Sequence, residues 1–203
     1  MTVKFPKKIR VNCFDYNIIC PYKFRESEDL TAQHSFYDLE IRVATESLLG
    51  EKRKNSKIVT SFIHELLHAI DHCYGFHMLE EDQVETLSNV LFEFFSRNLN
   101  GKKWNVLDEL DILGHKYKVE LGVDFEELDD ATSISENNSC IIYFTSLVRK
   151  PVMQRAYLLY HVIIVLNRLV GIGIDENMVD KLAFAFIDTI DRNNLWGIFA
   201  AKD

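Results

Sequence analysis

The sequence predicts an α+β protein made of two similar units, each a small β-sheet followed by two helices. Three observations lead to this prediction. Apolar and polar residues alternate over 39–45, as they do in a half-buried strand. Apolar residues then recur at helical spacing over 56–74 and again from residue 79. A pattern of glycine, valine and leucine in 75–98 returns in 171–193 with one residue deleted.

Composition and charge restrict the partners and the location that we expect. With 203 residues, 47 % of them hydrophobic, the chain can bury a core in one domain or two small ones. A net charge of −8 argues against a nucleic-acid partner, because such binding depends on neutralising phosphates. Segment 1–20 lacks the apolar stretch of a signal peptide. The apolar run 157–174 contains Asn167 and Arg168, which favours a buried helix over a membrane span. We therefore expect a cytoplasmic protein.

The cysteines agree with that location. Cys13, Cys20, Cys73 and Cys140 show neither the CxxC spacing of a zinc or redox motif nor the pattern of a small disulfide-rich domain. We predict four reduced thiols that fill space in the core.

Within the first unit, the elements can be predicted in order. Segment 8–20 reads as a strand or as an extended start to a helix. The first helix can be capped by Asn55 or Ser56 and can end at Gly75. A second helix begins near Leu79, with an acidic first turn that suits a helix N-terminus. Its apolar positions, which we expect to face the core, are Val84, Leu87, Leu91 and Phe94.

The first helix carries the sequence HELLH at 64–68. Residues four apart project from the same face of a helix, so His64 and His68 can bind one Zn²⁺ at about 2.0–2.1 Å. Glu65 then lies beside a metal-bound water and can accept its proton. A pair of structural histidines is the alternative interpretation. The helix is otherwise largely apolar, however, and buried polar groups need partners that a metal would supply.

The residues that follow the motif distinguish between classes of zinc peptidase. A metzincin would need glycine and histidine at the positions of Asp71 and Tyr74, so that class is excluded. The pair of segments HELLHAID (64–71) and ETLSNV (85–90) resembles the gluzincins, the thermolysin-like clan.

That resemblance implies a ligand set and a base. They are His64, His68 and Glu85 as zinc ligands and Glu65 as the general base. Asn89 stands where the clan has an aspartate that bonds a ligand histidine, and an amide would raise the basicity of that ligand less. Glu81, one turn before Glu85, is the alternative ligand. Glu80 and Asp82 are better interpreted as surface acids at a helix N-terminus.

The layout also resembles the minimal zincins of phage and mobile-element proteins and, more loosely, the ImmA/IrrE-like peptidases. That resemblance implies a small intracellular peptidase in which the strand before the motif, 39–45, is the sheet edge that pairs with an extended substrate.

The repeat predicts a second unit without the metal site. Three further pairs of segments align: 7–11 with 115–119, 39–45 with 140–146, and 62–70 with 158–166. We interpret the pattern as an internal duplication with units 1–98 and 105–203 and a linker, 99–104. Tyr160, His161 and Ile164 replace His64, Glu65 and His68, and Asp180 replaces Glu85. The second unit therefore cannot hold zinc in the same way. We expect it to cover the first unit as a pseudo-dimer partner or to shape its cleft.

Together these features predict an intracellular zinc peptidase that acts on a protein or peptide, without a nucleic-acid or membrane partner. One alternative is a non-catalytic protein that uses a zincin fold to bind a protein partner, and another is a structural protein without metal. Hydrolysis also needs a hydrogen-bond donor for the developing oxyanion. No motif selects it among Tyr74, His77, His72 and His34.

Overall fold

The computed structural model describes residues 3–25, 30–99, 101–104, 107–122, 133–136, 140–144, 150–201 and 203. The fold is α+β, as predicted. The first half consists of β1 (Lys8–Val11), β2 (Phe14–Ile19), β3 (Ala32–Ser35), β4 (Glu40–Val43), α1 (Asn55–Cys73) and α2 (Glu81–Leu99). The second half consists of β5 (Glu109–Ile112), β6 (His115–Leu121), β7 (Ser133–Glu136), β8 (Ile141–Phe144), α3 (Pro151–Val170) and α4 (Glu176–Arg192), followed by a 3₁₀ helix (Leu195–Ala200).

The two halves have the same strand topology. The first sheet has the order β1-β2-β4-β3 and the second the order β5-β6-β8-β7. In both, the outer pairs are antiparallel and the central pair is parallel. Non-glycine residues with positive φ also recur at matching places, Asn12 and Leu113 in the first hairpins and Leu39 and Cys140 before the fourth strands. The backbone arrangement is thus repeated, whereas its origin in a duplication stays a prediction.

The structure corrects several details of the sequence-based assignment. Segment 8–20 forms the β1–β2 hairpin, and β1 corresponds in topology to β5, so the alignment of 7–11 with 115–119 is displaced by one strand. The predicted edge strand, β4, lies inside the sheet and pairs with both β2 and β3. The two edges are β1 and β3, and β3 was not predicted as a strand because its four residues, AQHS, show no apolar alternation.

The two helices of the first half have the predicted limits to within a few residues. The α1 helix begins at Asn55, but its first turn is capped from elsewhere in the chain. The main-chain N–H of Ser56 donates to a carboxylate oxygen of Asp203 at 3.0 Å, and its hydroxyl group contacts both oxygens. Gly75, with φ of +71°, follows its end. The apolar stripes of α1 and α2 are buried as expected: Ile58, Phe62, Ile63, Leu66, Leu67 and Ile70, and Val84, Leu87, Leu91 and Phe94.

A single hydrophobic core extends through both halves. Trp104, which lies within the predicted linker, is 0 % exposed and packs against Phe94 and Phe95 of α2. Phe95 in turn stacks on Phe186 of α4 and contacts Trp196. Trp104 therefore anchors the segment between the halves in the core. The unit boundaries themselves stay a prediction.

The halves also exchange matching contacts at their outer strands. The Asn98 amide in α2 donates to the carbonyl of Asp111 in β5 and accepts from its N–H, both at 2.8 Å. Asn193, directly after α4, makes the same pair of bonds to Arg10 in β1, at 2.8 and 2.7 Å. Each half thus pairs with an outer strand of the other through one asparagine.

Two further expectations concern cysteines and membranes. Cys13, Cys20, Cys73 and Cys140 are all free thiols, as predicted, but only Cys73 is buried and Cys13 is exposed, so the prediction that all four fill the core is wrong. None of the helices in the described part of the chain combines the length and apolar character needed to cross a bilayer.

Candidate metal centre

The structure brings two histidines and one glutamate together. His64 and His68 lie on one face of α1, with their Nε2 atoms 3.1 Å apart. The Glu81 carboxylate approaches from the first residue of α2, with one oxygen 3.0 Å from Nε2 of His64 and the other 3.2 Å from Nε2 of His68. These three side chains form a group that could hold a metal ion.

The donor types and spacings fit zinc. Two imidazole nitrogens and one carboxylate oxygen are a common ligand set for a catalytic Zn²⁺ with an open fourth position. Ligand atoms around a tetrahedral zinc lie about 3.3 Å apart when its bonds are about 2.0–2.1 Å long. The separations of 3.0–3.2 Å within the group are close to that value. The position of Glu81 at a helix N-terminus also favours a negative charge there.

The predicted ligand Glu85 is not part of this group. Glu85 lies one turn farther along α2 and lines the same cleft as His64. The member of the group is Glu81, which the sequence analysis named as the alternative ligand. The predicted outer partner, Asn89, also lines the cleft, but its amide donates to the carbonyl of Glu85 at 2.8 Å. Within the described residues, Asn89 shows no hydrogen bond to either histidine of the group.

Glu65, the predicted base, is buried beside the group and has an altered acidity. Its side chain faces the cleft, although the residue is only 9 % exposed. Burial, with a smaller contribution from the nearby Glu81 carboxylate, raises the pKa of Glu65 to about 7. The main-chain N–H of His34 hydrogen-bonds to the Glu65 carboxylate and opposes the rise. A carboxyl group with this pKa exchanges protons readily near neutral pH.

A cleft with two lobes surrounds the cluster. The larger lobe, about 850 Å³, lies between β3, α1 and α2 and includes His64, Glu65 and Glu81 in its wall. The smaller lobe, about 400 Å³, shares these three residues and adds His68 and His34. His72 and His77 also line the smaller lobe, whereas the Tyr74 hydroxyl donates to Asp188 at 3.0 Å. The cluster therefore sits where the two lobes meet.

The edge strand β3 forms one wall of this cleft. The N–H of Ala44 donates to the carbonyl of Thr31, so by antiparallel alternation Gln33 and Ser35 bond to β4. The main-chain groups of Ala32 and His34 consequently point away from β4. Both residues line the cleft.

Behind the cleft, a buried tyrosine joins β3 to α1. The Tyr16 hydroxyl lies 3.0 Å from Nε2 of His34 and 3.3 Å from Sγ of Cys73. Burial, with smaller contributions from His68 and His72, lowers the pKa of His34 to about 4. Sequence reasoning named His34 only as one of four possible donors and missed Tyr16, because strand residues 18 positions apart carry no shared motif.

The matching region of the second half has no such cluster among the residues that the structure describes. The Tyr160 hydroxyl donates to the carboxylate of Glu176, which stands at the start of α4 as Glu81 does at the start of α2. His161 is buried, and burial lowers its pKa to about 4.

Comparison with protein-family models, with curated proteins and with solved structures finds no match to this chain.

Proposed function

We propose that this protein is an intracellular zinc-dependent peptidase. The observation that carries the proposal is the convergence of His64, His68 and Glu81 beside a buried glutamate, Glu65, in an open cleft. His64, His68 and Glu81 would hold the ion, with Glu81 rather than Glu85 as the third ligand. Bound Zn²⁺ supplies Lewis-acid polarisation and makes water a nucleophile at neutral pH.

Glu65 is the group of the chain that moves the proton. Its carboxylate accepts a proton from the attacking water and passes it to the nitrogen of the departing amine. The carboxylate form of Glu65 serves the first step and its acid form serves the second. The hydrogen bond from the His34 main chain holds the carboxylate at the edge of the sheet.

The substrate that the cleft suits best is an extended peptide. Ala32 in β3 directs its main-chain N–H and C=O away from β4, along the wall of the cleft. An extended chain can add to such an edge through main-chain hydrogen bonds. Such pairing selects for backbone conformation more than for particular side chains.

The zincin-like unit and its degenerate copy belong to the same proposal. The first half would be the catalytic unit, resembling the gluzincins in its HExxH helix and following acidic helix. The second half, with Tyr160 and Ile164 in place of His64 and His68, would be a copy that no longer binds metal. The shared strand order and the matched contacts of Asn98 and Asn193 support a common origin and a pseudo-dimer within one chain.

The test compares wild-type protein with Glu65→Gln. Zinc content is measured by elemental analysis, and hydrolysis is measured on a mixture of quenched fluorescent peptides. We expect one zinc per chain in both proteins and hydrolysis only in the wild type, because the amide cannot take the proton from water. Glu176→Gln, at the matching helix of the second half, is the control and should leave both measurements unchanged.

The third ligand is tested in the same assay. Glu81→Gln should weaken zinc affinity by more than the roughly 10–100-fold that outer partners of a metal site contribute, whereas Glu85→Gln should change it less. A larger effect of Glu85→Gln would reverse the assignment. Wild-type protein that binds zinc but cleaves no peptide would favour the non-catalytic binding protein. Near-zero zinc would favour a structural role without metal.

A further inference from the structure

His34 lies beside Glu65, the proposed base, and shares the smaller lobe of the cleft with the proposed zinc ligands. Its main-chain N–H hydrogen-bonds to the carboxylate of Glu65. Its side chain lines the smaller lobe of the cleft together with His64, His68 and Glu81. The edge strand therefore places an imidazole beside the position where a peptide carbonyl would meet the proposed zinc and base.

The Tyr16 hydroxyl determines which ring nitrogen of His34 carries the proton. Tyr16 is fully buried, and burial raises the pKa of its phenol, so the hydroxyl keeps its proton. A phenolic O–H bonds more strongly to an imidazole nitrogen than to a thiol, since sulfur is a weak acceptor. The bonding order is therefore Cys73 S–H to Tyr16 oxygen, and Tyr16 O–H to Nε2 of His34.

With Nε2 accepting a hydrogen bond, the neutral ring of His34 has its proton on Nδ1. The ring is neutral at physiological pH, since burial lowers its pKa to about 4. Nε2 is occupied by Tyr16 on the inner side, so Nδ1 is the ring nitrogen left for the cleft. His34 thus offers an N–H donor on the side where a substrate would lie.

We propose that His34 is a further catalytic residue, whose Nδ1–H donates a hydrogen bond to the carbonyl oxygen of the scissile peptide as that oxygen becomes negative. Tyr16 is the positioning residue that holds the tautomer. This inference rests on the proposed peptidase function and adds the oxyanion donor to it.

Hydrolysis needs no reactant beyond water and the groups named above. The water oxygen forms a bond to the carbonyl carbon while the C=O π pair moves onto the carbonyl oxygen, and Glu65 holds the water's proton. The pair then returns as the C–N bond breaks, and the proton passes from Glu65 to the nitrogen. His34 keeps its own proton throughout and acts only as a hydrogen-bond donor.

The kinetic test uses His34→Ala, His34→Gln and Tyr16→Phe, with His115→Ala, at an exposed histidine of the second half, as the control. Removal of one oxyanion donor lowers kcat by about 10²–10³-fold, so we expect such a loss in His34→Ala with little change in KM. The glutamine variant retains an N–H donor and should recover part of the rate. Tyr16→Phe should show an intermediate loss, and the control should stay near the wild-type rate.

Two binding and spectroscopic readouts are independent of turnover. In zinc-free protein, ¹⁵N NMR of the His34 ring should show a protonated Nδ1 in the wild type and a mixture of tautomers in Tyr16→Phe. In the zinc-loaded proteins, His34→Ala should weaken binding of a peptide phosphonate, which mimics the tetrahedral geometry. In the Glu65→Gln protein, where we expect no cleavage, the added His34→Ala substitution should leave the affinity for the corresponding peptide unchanged.

The outcomes separate this inference from the proposed function. If the wild type cleaves peptides and His34→Ala has the same kcat, this inference is wrong and the peptidase proposal stands. A proton found on Nε2 in the zinc-free wild type also overturns it. If the wild type cleaves no peptide, both proposals fail.

Discussion

The two halves of the chain share a strand order and a helix arrangement, yet among the residues that the structure describes only the first half presents a group that could hold a metal ion. At the start of their second helices both halves have a glutamate, Glu81 and Glu176. In the first half its partners are two histidines, whereas in the second half Tyr160 donates a hydrogen bond to it. Ile164 stands at the position that corresponds to His68. The halves therefore differ in the side chains at these two positions of their first helices.

The position of the base shows the same divergence. Glu65 and its counterpart His161 are both buried on the first helix of their halves. Burial favours the neutral form of both side chains, so it raises the pKa of Glu65 and lowers that of His161. In the described part of the chain, Glu65 adjoins a group that could hold a metal ion and His161 does not.

The largest expected effect comes from exchanging side chains between the halves. His64→Tyr with His68→Ile, which copies the second half, should reduce zinc from one per chain to near zero and abolish hydrolysis, because two of three ligands are lost. Elemental analysis after dialysis measures this.

The reverse exchange, Tyr160→His with Ile164→His, should raise zinc from one to two per chain, with Glu176 as the third ligand. Tyr160→His alone is the control and should leave the content at one. A double variant that gains no zinc would show that the helices of the second half hold the two positions too far from Glu176.

A smaller effect is expected on the pH dependence of stability. In the folded state the pKa of His161 is lowered from 6.5 to about 4. Between these pH values the unfolded chain therefore binds more protons than the folded protein does. The stabilisation by neutral His161 is therefore complete above pH 6.5 and declines as the pH falls toward 4, by at most about 3 kcal/mol. His161→Gln should flatten the decline in urea unfolding free energy between pH 6.5 and 4.

The exposed histidine of the same half, His115, provides the control. His115→Gln should leave the pH profile as in the wild type. An equally steep decline in His161→Gln would mean that other groups cause the acid sensitivity.

The smallest effects should be equal in the two halves. Asn98→Ala and Asn193→Ala each remove a two-bond contact to an outer strand of the opposite half, and each should lower the free energy of unfolding by about 1 kcal/mol. Asn89→Ala, which removes only a bond within α2, should change it less. Chemical denaturation of the three variants measures this. Strongly unequal losses would argue against equivalent contacts.

Several features were predictable because they depend on neighbours in the chain. The limits of α1 and α2 and their buried faces follow from apolar spacing, which is local. The same spacing places His64 and His68 on one side of α1. The α+β class and the repeated pattern of 75–98 also follow from the sequence.

Other features depend on how the chain turns between its elements. Whether Glu81 or Glu85 approaches the histidines is determined by the loop after α1, where Gly75 and His77 both have positive φ. Asp71 accepts a hydrogen bond from the Met78 N–H within that loop. Glu81 and Glu85 lie one helical turn apart on the same side of α2, so their spacing in the sequence does not show which of them reaches the histidines.

What the sequence by itself determined about this protein is the pair of histidines, the glutamate between them and the apolar faces that bury their helix, because each depends on helical periodicity. Only the tertiary structure placed Glu81 in the group, put β3 at one edge of the sheet and joined His34 to Tyr16. Those contacts link residues from different elements, and their geometry comes from loops and packing that no local pattern encodes.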